Sequence, residues 1–482
     1  MEKRNLIILC NPKFSPNYKI PYSLLAISRI LDKEGFEIKI IDGNIDKNYI
    51  KKIKKYSDEA LILGITSLTG LQIRDGLRVS KLVKEINPSI KVVWGGWHPT
   101  LLPIQTIKNP YIDIVVRGQG EITFTELVHA IARNSKLKNI LGITYKKNGK
   151  IVNTPNRPLI DINKLPPYPF HLLNLKKYVR RLYGFKSINY ISSYGCPYRC
   201  GFCSVQTVYK KMYCGLTPER MINDMELLIN ECNIEYITIE DSNFFANFKR
   251  VKDFCSKLTK RKLNIKWSAA IRANYFRWNN NFWKLAKKSG AFLFGIGAET
   301  GSPRMLKLLK KDITLEDIIY SAKKAIHYDF FAEYSFIIGL PLETKKDYEM
   351  TIEFIDKILS MSDKLSVMVF LYTPYPGTPL YPLALKLGFK PPKSLEGWAN
   401  FTLNNINVPW INEKKKRLVN QLNFYIIPHM KYLKHVVPKS SKSRKLLYSL
   451  LYHIAKLRWE RKFFSLPIDY KLLQIYEKFK KL

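Results

Sequence analysis

The 482-residue chain encodes an α/β protein in three parts. These are a doubly wound, flavodoxin-like domain, a partial (β/α)6 TIM-like barrel and a basic helical C-terminal region. Three observations predict this. Over residues 1–135, short apolar runs alternate with helical patterns, as a helix-covered parallel sheet requires. From 187 the alternation resumes with a longer rhythm. Beyond 385 it gives way to Lys-rich helical segments. Hydrophobic residues at 46% and charged residues at 25% are ordinary for a globular chain, and roughly 150 residues per domain allows about three domains.

In the first part, strand-like runs fall at 6–10, 37–41, 61–65, 91–94 and 112–116, with helical patterns such as Tyr22–Leu31 and Arg74–Val83 between them. A doubly wound sheet of this kind binds ligands beyond the carboxyl ends of its strands. A hairpin follows, Ile143–Tyr145 and Ile151–Val152 around the turn signal Asn148-Gly149. A Pro-rich linker runs from Asn156 to Pro169. Barrel strands are expected at 188–193, 235–240, 264–270, 291–298, 332–338 and 366–372, and chemistry in such folds sits at the carboxyl ends of the strands. The resulting division is 1–140, 141–185, 186–390 and 391–482. No 20–50-residue repeat exists beyond the βα rhythm.

Composition narrows the function. Seven cysteines are too few for a disulfide framework and suit a reducing cytoplasm with thiols free for other work. No apolar run reaches the ~18 residues of a spanning helix, and Met1–Asn5 leads directly into strand-like residues without a secretory pattern. The expectation is a soluble, cytoplasmic protein. The 80 Lys+Arg against 39 Asp+Glu give a net charge of +41, which attracts polyanions or reflects a lysine-rich decoration of every exposed face. The last 70 residues hold 18 Lys+Arg against 4 Asp+Glu. These helices either pack on the barrel or touch an anionic membrane surface peripherally. Nucleic acid is disfavoured, because no RNA-binding motif accompanies the charge.

The sharpest motif is Cys196-Pro-Tyr-Arg-Cys200-Gly-Phe202-Cys203, directly after the first barrel strand. Three thiolates on one loop can hold three irons of a 4Fe–4S cluster and leave the fourth open. The alternative is zinc, or a cluster closed by four protein ligands, with Cys214 as the fourth.

With its CxxxCxxC spacing and an aromatic before the last cysteine, the segment 185–385 resembles the radical S-adenosylmethionine (SAM) superfamily. The resemblance implies a 4Fe–4S cluster on Cys196, Cys200 and Cys203. It also implies SAM contacts from Phe202, from Glu240 and Asp241 after the second strand, from Glu299 after the fourth and from Ile337 and Gly339 in the fifth. Glu240 or Asp241 can instead cap the next helix, and Arg272 pairs with a carboxylate or substrate or is an ordinary surface arginine. The implied chemistry is one-electron cleavage of SAM to a 5′-deoxyadenosyl radical, which takes hydrogen from an unactivated C–H. That chemistry needs proximity and a dry cavity, together with an external one-electron reductant of flavodoxin or ferredoxin type.

The first domain resembles the cobalamin-binding domains found ahead of such barrels. Three strand-end segments carry the resemblance: Gly64–Gly70, Trp94–Thr100 and Arg117–Glu121. They imply cobalamin contacts from Thr66, Ser67, Thr69, Gly95, Gly96, Gly118, Gly120 and Glu121. The DxHxxG motif that supplies a lower axial histidine elsewhere is absent, since Asn11-Pro12-Lys13-Phe14 stands in its place. His98 is read as a loop-structuring residue rather than a cobalt ligand. The implied function is a cobalamin-dependent radical SAM C-methyltransferase acting on an unactivated carbon of a small-molecule or lipid-like substrate. An oxidative cyclase or rearrangement enzyme with the same cofactors is the alternative. A non-catalytic corrin-binding or redox-sensing protein is a third reading.

Overall fold

A computed structural model describes residues 5–14, 19–401, 406–423, 442–464 and 468–479. The amino-terminal sheet comprises β1 (Leu6–Asn11), β2 (Glu37–Asp42), β3 (Ile62–Thr66), β4 (Lys91–Gly95), β5 (Ile114–Val116), β6 (Ile143–Lys147) and β7 (Lys150–Asn153). Its order is β2-β1-β3-β4-β5-β6-β7. The first five strands run parallel and β6 and β7 add an antiparallel edge. β1 is buried at all six positions, because helices cover both faces. The predicted turn forms with Asn148 and Gly149 both at positive φ, so the hairpin extends this sheet.

The second sheet is a half-barrel. β9 (Phe185–Tyr190), β12 (Tyr236–Ile239), β13 (Lys266–Ile271), β14 (Ala291–Glu299), β15 (Phe331–Ile338) and β16 (Leu365–Leu371) run parallel, in sequence order. β8 (Arg180–Leu182) pairs antiparallel on the outer side of β9. Alternation decides the faces. Trp267, Phe294 and Tyr334 point to the covering helices, and Trp267 and Phe294 meet Phe245 and Phe254 or Trp283 and Phe330 in edge-to-face contacts. The opposite residues line the lumen.

One expected strand divides. Instead of running on to Ser193, β9 stops at Tyr190, and β10 (Ser193–Gly195) pairs antiparallel with β11 (Tyr213–Gly215). The buried Asp241 carboxylate causes the break. It accepts from the Ser192 amide and from the Ser192 and Ser193 hydroxyls, each at 2.6 Å, and so pulls the chain out of the sheet.

The two sheets share a core. Tyr22 donates its hydroxyl to the Asn189 carbonyl at 3.1 Å and packs edge-on against Tyr168, Phe170 and Tyr190. The segment after the barrel returns to the first domain. Asn109 donates to Glu396 at 2.7 Å, and Trp398, 1% exposed, packs against His98. Helix Lys442–Glu460 lies on the barrel, where Trp459 donates to Asp356 at 2.6 Å. Among the described residues, no helix is long and apolar enough to cross a membrane.

Candidate active site

The cysteine loop leaves β10 at Gly195, whose φ is +77°. A Cβ there would stand 2.0 Å from the Met212 carbonyl oxygen, so only glycine permits this exit. The three thiols share one neighbourhood. Burial pushes the Cys203 thiol up to about 11, and Cys200 and Cys196 raise it further while Lys311 opposes them. Each of the other two sulfurs has an N–H donor. Asn243 Nδ2 lies 3.6 Å from Cys196 Sγ, and Arg272 Nη1 lies 3.5 Å from Cys200 Sγ. Arg272 is buried, its guanidinium 3.6 Å from the centre of the Tyr198 ring, and it also donates to the Lys311 carbonyl. It is therefore not a surface arginine.

Donors aimed at thiol sulfurs are what cluster thiolates accept, so the loop fits three corners of a 4Fe–4S cube. Cys214 faces elsewhere: its sulfur accepts from the Ile162 amide at 3.4 Å and lies 3.5 Å from Asp161. Among the described residues, no three Cys, His, Asp or Glu side chains converge as a single ion requires. A cube takes one thiolate per iron and needs no such convergence.

The residues expected to face SAM divide into three places. Glu299, at φ +66°, forms a buried ion pair with Lys311, whose ammonium lies 5.8 Å from the centre of the Phe202 ring. Both residues therefore border the cysteine loop. Ile337 projects into the lumen, whereas Gly339 turns toward the later chain, its carbonyl accepting from Trp410 at 2.9 Å and its amide donating to Glu343 at 2.9 Å. Asp241 is committed to Ser192 and Ser193. Glu240 pairs with Lys19 at 2.6 Å and opens onto a cavity between the domains. Neither caps the following helix, because Asn247 does so. Reading the sequence missed Asn243 and Lys311. Asn243 stands two residues beyond the acidic pair, and Lys311 sits on a loop whose placement depends on the fold.

That interdomain cavity has a volume of about 380 Å³. Thr66, Gly95, Gly96, Gly118, Gly120 and Glu121 line it from the first domain, and Ser193, Tyr194, Gly195, Tyr209, Glu240 and Ser242 from the barrel. Ser67 and Thr69 stand behind this wall. Ser67 bonds the Leu68 carbonyl at 3.0 Å, and the Thr69 hydroxyl meets His98 Nδ1 at 3.0 Å. His98 is buried outside the lining, and burial lowers its pKa to about 4. Gly96, at φ +94°, passes within 3.0 Å of Ser67 and Thr66 at the position a Cβ would take. Two polar atoms at the wall, Gln119 Nε2 and Glu121 Oε1, are buried without a well-formed hydrogen bond. Burial raises the Glu121 carboxyl pKa, though the Gln119 and Tyr194 side chains lie close enough to it to act in the lowering direction. Under-satisfied polar groups beside a glycine-lined groove fit the amide-rich rim and nucleotide tail of a corrin. The described lining contains no histidine.

A doubly wound cavity domain joined to a half-barrel with a three-cysteine loop defines a two-cofactor enzyme class. The B12 binding domain model matches residues 16–128, and the Radical SAM superfamily model matches residues 190–355. An uncharacterized methyltransferase, PH0819 of Pyrococcus horikoshii, is 37% identical over 367 residues, covering 75% of this chain and 78% of that one. The anaerobic magnesium-protoporphyrin IX monomethyl ester cyclase of Rubrivivax gelatinosus is 27% identical, over 84% of this chain and 72% of its own. The cobalamin-dependent SAM radical enzyme OxsB, solved with aqua-cobalamin and SAM, superposes with a TM-score of 0.76 at 19% identity, covering 94% of this chain and 72% of that one. The chain belongs to the radical SAM superfamily, in the group that carries an amino-terminal B12-binding domain. It is a radical SAM enzyme.

Proposed function

We propose that this enzyme is a cobalamin-dependent C-methyltransferase acting on an unactivated carbon of a small molecule. One observation carries the reading: the wall of the interdomain cavity runs through Tyr194 and Gly195 directly into Cys196. Residues 1–140 would form the corrin domain, 186–390 the radical barrel and 391–482 a basic cover. When bound, the cluster supplies the electron that cleaves SAM, and the corrin carries the methyl group.

The side chains have separable tasks. Cys196, Cys200 and Cys203 would hold the cluster, with Asn243 and Arg272 donating to the Cys196 and Cys200 sulfurs. Phe202 and the Glu299–Lys311 pair shape the adjacent SAM site, with Ile337 on the lumen wall. Thr66, Gly95, Gly96, Gly118, Gly120 and Glu121 receive the corrin, with Ser67 and Thr69 bracing the loop behind. A corrin seated in this cavity would meet no histidine among the described lining residues. Arg272 stacks on Tyr198, whose hydroxyl meets that of Tyr275 at 2.9 Å, and these contacts brace the cysteine loop against the barrel.

Anaerobic reconstitution followed by reaction with CD3-labelled SAM tests the proposal. Formation of 5′-deoxyadenosine with transfer of the labelled methyl group supports the methyltransferase. Release of 5′-deoxyadenosine without labelled product selects the cyclase reading, which the Rubrivivax relative favours. A Cys200→Ala variant that retains its iron overturns the cluster assignment.

A further inference from the structure

The half-barrel lumen holds a carboxylate that the reading above leaves unused. On β15 the side chains of Ala332, Tyr334, Phe336 and Ile338 are at most 1% exposed, and the Tyr334 hydroxyl meets Ser321 on the covering helix Leu315–His327 at 2.9 Å. Alternation therefore turns Glu333, Ser335 and Ile337 into the lumen. Glu333 lies across from Gly295 on β14 and Ser366 on β16, and Gly295 lies across from Ala270 on β13. This row is open. Ala270 is exposed although it sits in the middle of the sheet, and a Cβ on Gly295 would meet only the Ala270 Cα, at 4.0 Å.

The height of the row places it beside the chemistry. Arg272, two residues above Ala270 on the same strand face, touches Cys200, so the Glu333 row lies about 7 Å below that level. Beneath it, Tyr183, Phe185, Tyr236, Phe292 and Phe331 pack into an aromatic floor. None of the neighbouring cations among the described residues forms an ion pair with Glu333. Lys266 lies over Phe185 and Phe292 at 5.5 and 5.4 Å, Arg180 reaches toward Glu240 at 4.0 Å, and Lys364 pairs with Asp329. The Glu333 carboxylate has no hydrogen-bond or ion-pair partner among the described residues, and burial raises its pKa. The Tyr183 and Tyr236 hydroxyls feel its charge, with Arg180 opposing it at both.

We propose that Glu333 anchors the substrate and that the group it receives is a cation, a primary ammonium or guanidinium on a small molecule. The proposal rests on the lumen being the substrate chamber of a radical SAM enzyme. An incoming cation would supply the countercharge the carboxylate lacks, while the open row leaves room for the carbon framework above.

Ligand-observed NMR on the anaerobically reconstituted full chain tests this with n-butylammonium and butyrate as probes. The expected result is saturable n-butylammonium binding, little butyrate binding, and a loss of about ten- to a hundredfold in affinity in Glu333→Gln with retention in Glu333→Asp. Equal binding of the two probes to the wild type, or unchanged butylammonium affinity in Glu333→Gln, overturns the proposal. If Glu333→Gln does not fold, the wild-type probe pair decides. Formation of 5′-deoxyadenosine by the wild type is scored separately. If it persists while cation selectivity is absent, only the role of Glu333 falls. If it is absent while selectivity is present, the chamber reading falls.

Discussion

A buried guanidinium beside a sulfur stabilises negative charge on that sulfur and on whatever it ligates. Arg272 therefore favours the reduced form of a cluster held by Cys200. Arg272→Ala should lower the cluster midpoint potential by about 60–130 mV, which is the ~1.5–3 kcal/mol of a charged hydrogen bond expressed at ~59 mV per tenfold for one electron. An EPR-monitored titration would show the shift, and an unchanged potential would refute it. His98 gives a second prediction. Its folded pKa of about 4 lies below the ordinary 6.5, so between these values the unfolded chain binds more protons, and stability falls as pH drops through the window. The contribution is about 3 kcal/mol, from ~1.4 kcal/mol per unit. Asp224, pushed up to about 6 chiefly by burial, acts in the opposite sense, so the comparison must be made against a variant. His98→Asn should flatten the wild-type loss in denaturation midpoint between pH 6.5 and 4.5. At this scale the cysteines were legible because their spacing is itself the chemistry. Arg272 was not, because one residue letter does not distinguish a surface guanidinium from one folded under a tyrosine ring.

Secondary-structure elements carry the loop geometry. β10 and β11 exist because Asp241 draws Ser192 and Ser193 out of the barrel sheet, and Gly195 then turns the chain toward the cluster. Gly195→Ala should clash with the Met212 carbonyl and dislodge the loop, so reconstituted protein should hold well under half the wild-type iron. Iron quantitation with far-ultraviolet circular dichroism checks this, and a fully loaded Gly195→Ala protein would contradict it. The strand centres were readable from apolar runs and helix alternation. The break after Tyr190 was not, because it depends on an acid from the next βα unit rather than on local pattern. The capping box of Thr314 and Asp317 shows the converse, a purely local signal. Thr314→Ala should cost about 1 kcal/mol in denaturation experiments without altering iron content.

Across the whole molecule, the two domains are tied at both ends of the site. Tyr22 and Asn189 join them near the barrel entrance, and Trp398 with Glu396 returns from the far end to His98 and Asn109. Trp398→Ala should cost about 3–5 kcal/mol and speed proteolysis near residues 391–401, as followed by mass spectrometry. Equal cleavage rates would show that this return contact does not bind the halves. The order of the two sheets was legible from the strand–helix rhythm, but their contact was not, since Trp398 and His98 stand 300 residues apart. Gly195 lines the interdomain cavity and is bonded directly to Cys196. The same turn forms part of the cavity wall and starts the cysteine loop, so a displacement at this glycine should be felt on both sides of it.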